Sequence, residues 1–241
     1  MGPRLPVEQA ISMPLLRPCV LLTFLCIALG CIPVPTIAGR PASVLSQGVI
    51  REGVAVGAFY AEETIATGLA DAGGWPYGFL MLDYGFGGGW DARIAAVPAD
   101  GTGVQGHGSV RLQVLGEPED VYGRSAAAWS MELGFGAGAE WTGWDAYAGT
   151  NLSVPIKDAL AYVSYRYHLG ESEHESSGYG FSHHMLYLGV DLSQRQAANL
   201  AVEIYAGWPA HGGPGPGEAA FRNVGFNVVW RSSYAWSRRD E

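Results

Sequence analysis

Two-residue alternation of apolar with polar or small side chains is the feature that most limits what this chain can form. It is clearest where Trp129, Met131, Leu133, Phe135 and Ala137 alternate with serine, glutamate and glycine. A period of two places successive side chains on opposite faces of a β-strand. Similar alternation recurs at about ten places, over 52–60, 77–86, 90–97, 107–115, 129–137, 144–154, 160–168, 186–192, 200–208 and 224–230. The sequence therefore predicts an all-β fold of about ten strands, with eight as the alternative count.

The composition indicates what surrounds these strands. Charged residues make up 15% of the 241 residues, and Lys157 is the single lysine, whereas soluble domains carry about a quarter charged residues. A soluble barrel such as a lipocalin keeps its apolar face inside and has an exterior rich in lysine and glutamate. Here the second face carries glycine, serine, asparagine, tyrosine and isolated charges, which suits a polar interior. The net charge of −9 argues against nucleic-acid partners, because phosphate binding needs clustered lysine and arginine.

Aromatic residues recur near the ends of the predicted strands. They are Tyr60, Trp75, Tyr77, Trp90, Trp141, Trp144, Trp208 and Trp230. This placement resembles the aromatic girdles of bacterial outer-membrane β-barrels. The last run, Val224 to Trp230, resembles the assembly signal of that class, although eleven residues follow it. Either the barrel tolerates this tail, or the final aromatic residue of the signal is Trp236.

The resemblance implies a closed, antiparallel, up-and-down transmembrane β-barrel over residues 50–230, followed by a tail over 231–241. It places the protein in the bacterial cell outer membrane, in contact with outer-membrane lipid. Barrels of this class have short turns at one end and longer external loops at the other. Longer links are predicted at about 61–76, 169–183 and 209–220.

The first thirty residues are typical of an export signal. Pro18 to Gly30 is uncharged and apolar, and it is too short to cross a membrane as a helix. The segment Ile27-Ala28-Leu29-Gly30-Cys31 resembles the lipobox of bacterial lipoproteins, which implies a signal over 1–30 and a lipid on Cys31. Cleavage after Thr36-Ile37-Ala38 is an alternative, and an uncleaved or misplaced start is a third. Residues 31–49 contain three prolines and are predicted to be a tether.

Cysteines do not stabilise the predicted mature chain. Cys19 and Cys26 lie inside the predicted signal, so Cys31 alone remains after it. An internal disulfide and a cysteine metal site are therefore excluded in the mature chain.

Charges of both signs fall on the face predicted to line the lumen. Arg93, Arg111, Arg166 and Arg222 are placed to meet Asp83, Asp91, Glu132, Asp145, Asp191 and Glu203. Buried charges need partners, and barrels of about eight strands are filled by side chains. The sequence therefore predicts a salt-bridged plug. A small water-filled pore, with these groups setting its selectivity, is the alternative.

His107-Gly108-Ser109 is the one fragment that resembles a catalytic motif. Outer-membrane lipid A deacylases have a His-x-Ser on a strand, which implies a serine activated by His107. Glu117 or Glu119 is then the candidate for orienting the histidine. Gly106 and Val110 stand near the places where that family has an aromatic residue and an asparagine. The predicted count of ten strands is also a resemblance to the omptin proteases. The paired Asp-x-Asp and Asp-x-His elements of that family are absent from this sequence.

Residues 171–184 contain side chains of the kinds that bind metal ions. Six possible ligands lie there: Glu171, Glu173, His174, Glu175, His183 and His184. Two histidines with a carboxylate are a common ligand set, but nothing in the sequence fixes these groups relative to one another. The segment is predicted to be an acidic external loop, and neither a metal nor a cofactor is predicted.

The sequence thus predicts a small outer-membrane barrel, attached through a lipid on Cys31, with a structural or surface-interaction role. Its external partners are not identified by the sequence. A narrow pore, an outer-membrane lipid hydrolase acting through His107 and Ser109, and a soluble lipocalin-like binder are the alternatives, in that order.

Overall fold

The fold is a closed barrel. The computed structural model describes residues 38–65, 68–98, 104–119, 126–138, 143–174, 177–192, 198–211, 216 and 218–235. Within them lie ten strands: β1 Val49–Ile65, β2 Gly68–Gly87, β3 Trp90–Pro98, β4 Val104–Leu115, β5 Ala128–Gly138, β6 Trp144–Ile156, β7 Ala159–His174, β8 Ser177–Asp191, β9 Ala198–Pro209 and β10 Glu218–Ala235. Each pairs antiparallel with its neighbours in sequence, and β1 closes the sheet on β10. The predicted antiparallel up-and-down barrel of about ten strands is confirmed. No helix in these ranges is long and apolar enough to cross a membrane.

The alternation in the sequence divides the side chains between lumen and exterior. Along β5, Ser130 and Glu132 are buried, whereas Met131, Leu133 and Phe135 are more than half exposed. Successive strand residues point to opposite faces, so a one-residue slip in pairing would exchange the two sets. The polar face lines the lumen and the apolar face forms the exterior.

The two ends of the barrel differ. At the end where β1 begins and β10 ends, called here the terminal end, β6 and β7 are joined by the tight turn Lys157–Asp158. At the opposite, distal end, β1 and β2 stay paired as far as Ile65 and Gly68. With an even number of strands, both ends of the barrel domain lie on one side.

The strands run further than the apolar alternation predicts. β7 and β8 remain paired as far as His174 and Ser177, so regions 61–76 and 169–183, predicted to be loops, are mostly paired strand. The alternation arises where one face of a strand lines the lumen and the other contacts lipid. An antiparallel ladder, by contrast, is held by hydrogen bonds between backbone groups alone. Strand pairing therefore continues beyond the point where the alternation stops.

The limits of the barrel also shift outward. β1 starts at Val49, which pairs with Ala235 at the end of β10. The barrel is thus longer than the predicted 50–230, and residues 231–235 of the predicted tail belong to β10. The remainder of that tail, including Trp236, lies outside the described residues.

Candidate functional site: the occupied lumen

A segment of chain before β1 runs inside the barrel. This plug segment, residues 38–48, was predicted to belong to a tether. Ala38, Ala42, Ser43, Val44 and Leu45 have no exposed surface. Ser46 and Gly48 bond to backbone groups near the terminal end, at Glu119 and Gly85. The described part of the predicted tether therefore turns back into the lumen instead of leaving the barrel. Cys31 and the signal lie outside the described residues.

Lumen side chains satisfy the backbone of the plug segment. Arg111 donates to the carbonyl oxygens of Pro41 and Ser43. The Asp91 carboxylate accepts from the N–H of Leu45 at 3.0 Å, and the Gln113 side-chain oxygen accepts from Val44 at 3.0 Å. Buried backbone groups are costly when left unpaired. These bonds to the wall are what allow an irregular segment to lie in the lumen.

Arg40 connects the plug segment to several carboxylates on the wall. Its guanidinium lies 3.0 Å from Glu132 and 3.6 Å from both Asp83 and Asp91, and it donates to the Ser109 hydroxyl at 3.1 Å. Burial acts to lower the pKa of Arg40, and these carboxylates outweigh that effect and raise it. Arg40 is therefore a buried cation held among three anions.

The eight residues predicted to form a lumen charge network all lie inside the barrel and are buried. They are Arg93, Arg111, Arg166, Asp83, Glu132, Asp145, Asp191 and Glu203. Arg93 binds both oxygens of Asp83, at 2.6 and 2.9 Å, and Arg166 lies 3.3 Å from Glu132. Arg111 pairs with Asp91, which the sequence also suggested. Arg222 differs from the prediction because its position on β10 is exposed.

Three arginines that lie in the lumen were not predicted from the sequence to lie there. Arg40 stood in the predicted tether. Arg51 binds both carboxylate oxygens of Glu119, at 2.6 and 3.1 Å. Arg231, which was assigned to the tail, lies 3.1 Å from Asp191. Extending the two-residue period backwards from the first predicted strand and forwards from the last would have placed Arg51 and Arg231 on the inner face.

The geometry around His107 and Ser109 does not match an activated serine. Both side chains point into the lumen from β4 and are buried. Among the described residues, neither ring nitrogen of His107 has a hydrogen-bond partner, and the Ser109 hydroxyl accepts a bond from Arg40. The carboxylate near His107 is Asp145, at 3.6 Å. Glu119 is held by Arg51 and Glu117 is exposed, so neither orients the histidine.

The predicted acidic segment 171–184 divides between the two faces of the sheet. His183 is buried in the lumen, where its ring lies 5.0 Å from that of His168. The next residue, His184, contacts Tyr165, Tyr167 and Trp208. Within the described parts of the chain, no group of three or more histidine, cysteine or carboxylate side chains is arranged to hold a metal ion.

The exterior is apolar around the barrel and aromatic towards its ends. Ile94 and Leu133 are exposed to 61% and 62%. Exposed aromatic side chains occur near the distal end (Tyr60, Trp144 and Trp208) and near the terminal end (Tyr84, Phe86, Trp90 and Tyr234). Tyr77, predicted to belong to a girdle, instead points inward and bonds to Asn227. A closed sheet satisfies its backbone within lipid, and its apolar band between aromatic girdles is the surface of an outer-membrane barrel.

Comparisons with known proteins give likeness at the level of the fold. No protein-family model matches the chain, and no curated protein matches it. The Neisserial surface protein A matches at 9% identity and a TM-score of 0.34, over 76% of this chain and 97% of that one. The outer membrane protein OprG from Pseudomonas aeruginosa matches at 8% and 0.36, over 82% and 100%.

The attachment invasion locus protein Ail of Yersinia pestis matches at 8% identity and a TM-score of 0.30, over 76% of this chain and 98% of that one. At TM-scores this low, no individual residue of the lumen is matched to a residue of these proteins. The roles of residues in this barrel are therefore derived from its own contacts.

Proposed function

We propose that this chain is an outer-membrane barrel without an open channel, which serves as a scaffold for the structure at its distal end. The occupied lumen is the observation that supports this most directly. The plug segment and the ion pairs around Arg40 fill the interior, as expected of narrow barrels. A conducting pore would need a continuous path of water instead.

The distal hairpins support a role in surface interaction. A tilted strand crosses the bilayer with about 9–11 residues, whereas β1 and β2 have 17 and 20. The surplus at the distal end includes the exposed carboxylate of Glu171. An exposed carboxylate at this end of the barrel favours a basic partner.

Conductance across a planar bilayer tests the closed state. The refolded protein is expected to give no conductance steps, because the plug segment and the arginine–carboxylate pairs occupy the lumen. A variant that lacks residues 39–46 is expected to conduct if it still shows the gel shift of a closed barrel on heating. Steady conductance by the unmodified protein would favour the narrow-pore alternative and contradict the proposal.

Epitope insertion tests which end faces the outside. A tag between residues 66 and 67, in the β1–β2 hairpin, should bind antibody on intact cells. The same tag between Lys157 and Asp158 should bind only after the outer membrane is permeabilised, since that turn lies at the terminal end. The reverse pattern would place the distal hairpins in the periplasm and remove the surface role.

A further inference from the structure

The hydrogen-bond partners of the lumen carboxylate Glu203 are neutral groups, and the guanidiniums of Arg231 and Arg166 act on it without a hydrogen bond or salt bridge among the described contacts. Glu203 on β9 is fully buried and accepts from the Tyr162 hydroxyl at 3.1 Å and the Asn227 amide at 2.7 Å. Its third partner is the backbone N–H of Gly39 in the plug segment. Within the described ranges, the salt bridges of the lumen arginines go to other carboxylates. A buried carboxylate without a cation is costly.

The plug segment has no space for a side chain at this point. A Cβ on Gly39 would lie 2.6 Å from a carboxylate oxygen of Glu203 and 2.9 Å from the Cβ of Tyr187. Gly39 therefore lies directly against the Glu203 carboxylate, to which its N–H donates. A positive charge on that nitrogen would place a cation in direct contact with Glu203.

We infer that the precursor is cleaved between Ala38 and Gly39, and that the new α-ammonium group of Gly39 forms an ion pair with Glu203 inside the barrel. Thr36-Ile37-Ala38 has small residues at the first and third positions before the bond, as signal cleavage sites do. A signal peptidase of the export system would hydrolyse the amide with one water. The C–N bond breaks, the hydroxyl of the water bonds to the Ala38 carbonyl carbon, and its proton goes to the Gly39 nitrogen. The new carboxyl group of Ala38 then ionises, and the amine takes that second proton to become the ammonium.

The other contacts of Ala38 are compatible with its loss. Its carbonyl oxygen accepts from Arg93 at 3.3 Å and from Arg166 at 3.2 Å. Both arginines keep a carboxylate partner without it, Asp83 and Glu132 respectively. Glu203 is the carboxylate that contacts Gly39 and would balance the new ammonium. Ala38 has no exposed surface, so the peptidase has to act before the plug segment enters the lumen.

Lipidation at Cys31 is harder to reconcile with the fold than cleavage after Ala38. Ala38 packs in a buried cluster that includes Phe59, Tyr77, Phe79 and Phe181. A longer N-terminus would have to reach the exterior from this buried position. Cys31 stands seven positions before Ala38, a distance of about 24 Å in a fully extended chain. Within that reach the lipid would have to arrive in the bilayer outside the barrel.

Intact mass and N-terminal sequencing test the cleavage on protein extracted from the outer membrane of an expressing bacterium. The expected chain begins at Gly39 and has no lipid, and the variant Cys31→Ser should give the same product in the same amount. A chain that begins at a lipid-modified Cys31, or one that retains residues before Gly39, would overturn the proposal. Ala38→Leu is expected to block cleavage, because a large side chain precedes the bond.

A comparison of two N-termini tests the ion pair itself. Glu203→Gln is made in the chain that begins at Gly39 and in a refolded chain that keeps Ala38 and a preceding methionine. The substitution should lower the temperature of the gel shift clearly in the first chain, where an ammonium loses its partner. It should lower it less in the second, where residue 39 has a neutral amide. Equal decreases in the two chains would refute the pairing.

Discussion

At the scale of single residues, Arg40 is the cation that ties the plug segment to the barrel wall. Arg40→Met removes a charge that lies within 3.6 Å of Asp83, Asp91 and Glu132. Buried carboxylates then lack part of their compensation, and removing one partner of a buried pair costs about 3–5 kcal/mol. We expect the free energy of unfolding to fall by about that amount in a urea titration of the barrel in lipid vesicles.

Arg222→Met is the matched control for that prediction. The side chain of Arg222 is exposed on the outer face of β10, where ion pairs contribute about 0–1 kcal/mol. The control should therefore change the free energy of unfolding little. An equal loss of unfolding free energy in both variants would show that the effect of Arg40→Met does not come from the position of Arg40 in the lumen.

Gly85 is a second residue on which the plug segment depends. A Cβ at this position on β2 would lie 2.6 Å from the carbonyl oxygen of Leu45 and closer still to that of Ser46. Gly85→Ala is expected to displace the plug segment near the terminal end. Overpacking of this kind costs about 1–3 kcal/mol, and the variant should show conductance steps in a planar bilayer.

The control for Gly85 is another glycine of the barrel. At Gly108, on β4, a Cβ would have no neighbour within 4 Å, so Gly108→Ala should leave both stability and conductance unchanged. If Gly85→Ala also left stability and conductance unchanged, the described path of the plug segment past β2 would be wrong.

At the scale of elements, the turn between β6 and β7 contains a strained residue. Lys157 has φ of +56°, and it is the only non-glycine residue with positive φ among those described. The left-handed region costs residues with a Cβ about 1–2 kcal/mol. Lys157→Gly should therefore raise the urea midpoint, whereas Lys157→Ala, which keeps the Cβ, should not. A gain from both would trace the effect to loss of the charge.

The strands were predictable from the sequence and the plug segment was not. Alternation alone gave 129–137 for a strand observed as Ala128–Gly138, because both faces of a barrel wall leave a two-residue period. The plug segment makes its contacts with distant parts of the chain; Arg40 and Ser164 are 124 positions apart. An irregular segment has no period, and its one proline, Pro41, fits a tether as well as a lumen path. Its burial depends on partners that only the closed barrel brings together.

At the scale of the whole molecule, the apolar exterior identifies the solvent around the barrel. Leu133 is 62% exposed at the middle of β5. In water, a change to arginine at such a position would have little effect on stability. In a bilayer, arginine near the midplane costs about 2–4 kcal/mol and near an interface about 0–1. The effect of the substitution should thus depend on depth.

Leu133→Arg and Leu115→Arg make that comparison at equal exposure. Leu115 is 63% exposed at the terminal end of β4, where we expect headgroups and water to begin. In urea titrations of the two variants folded in lipid vesicles, Leu133→Arg should lose about 2–4 kcal/mol and Leu115→Arg much less. Equal and small losses would mean that hydrocarbon does not surround the barrel, and the apolar exterior would then need a protein partner. A loss confined to the midplane position would show that the sequence alternation reflects two solvents, with lipid outside and an ion-paired lumen inside.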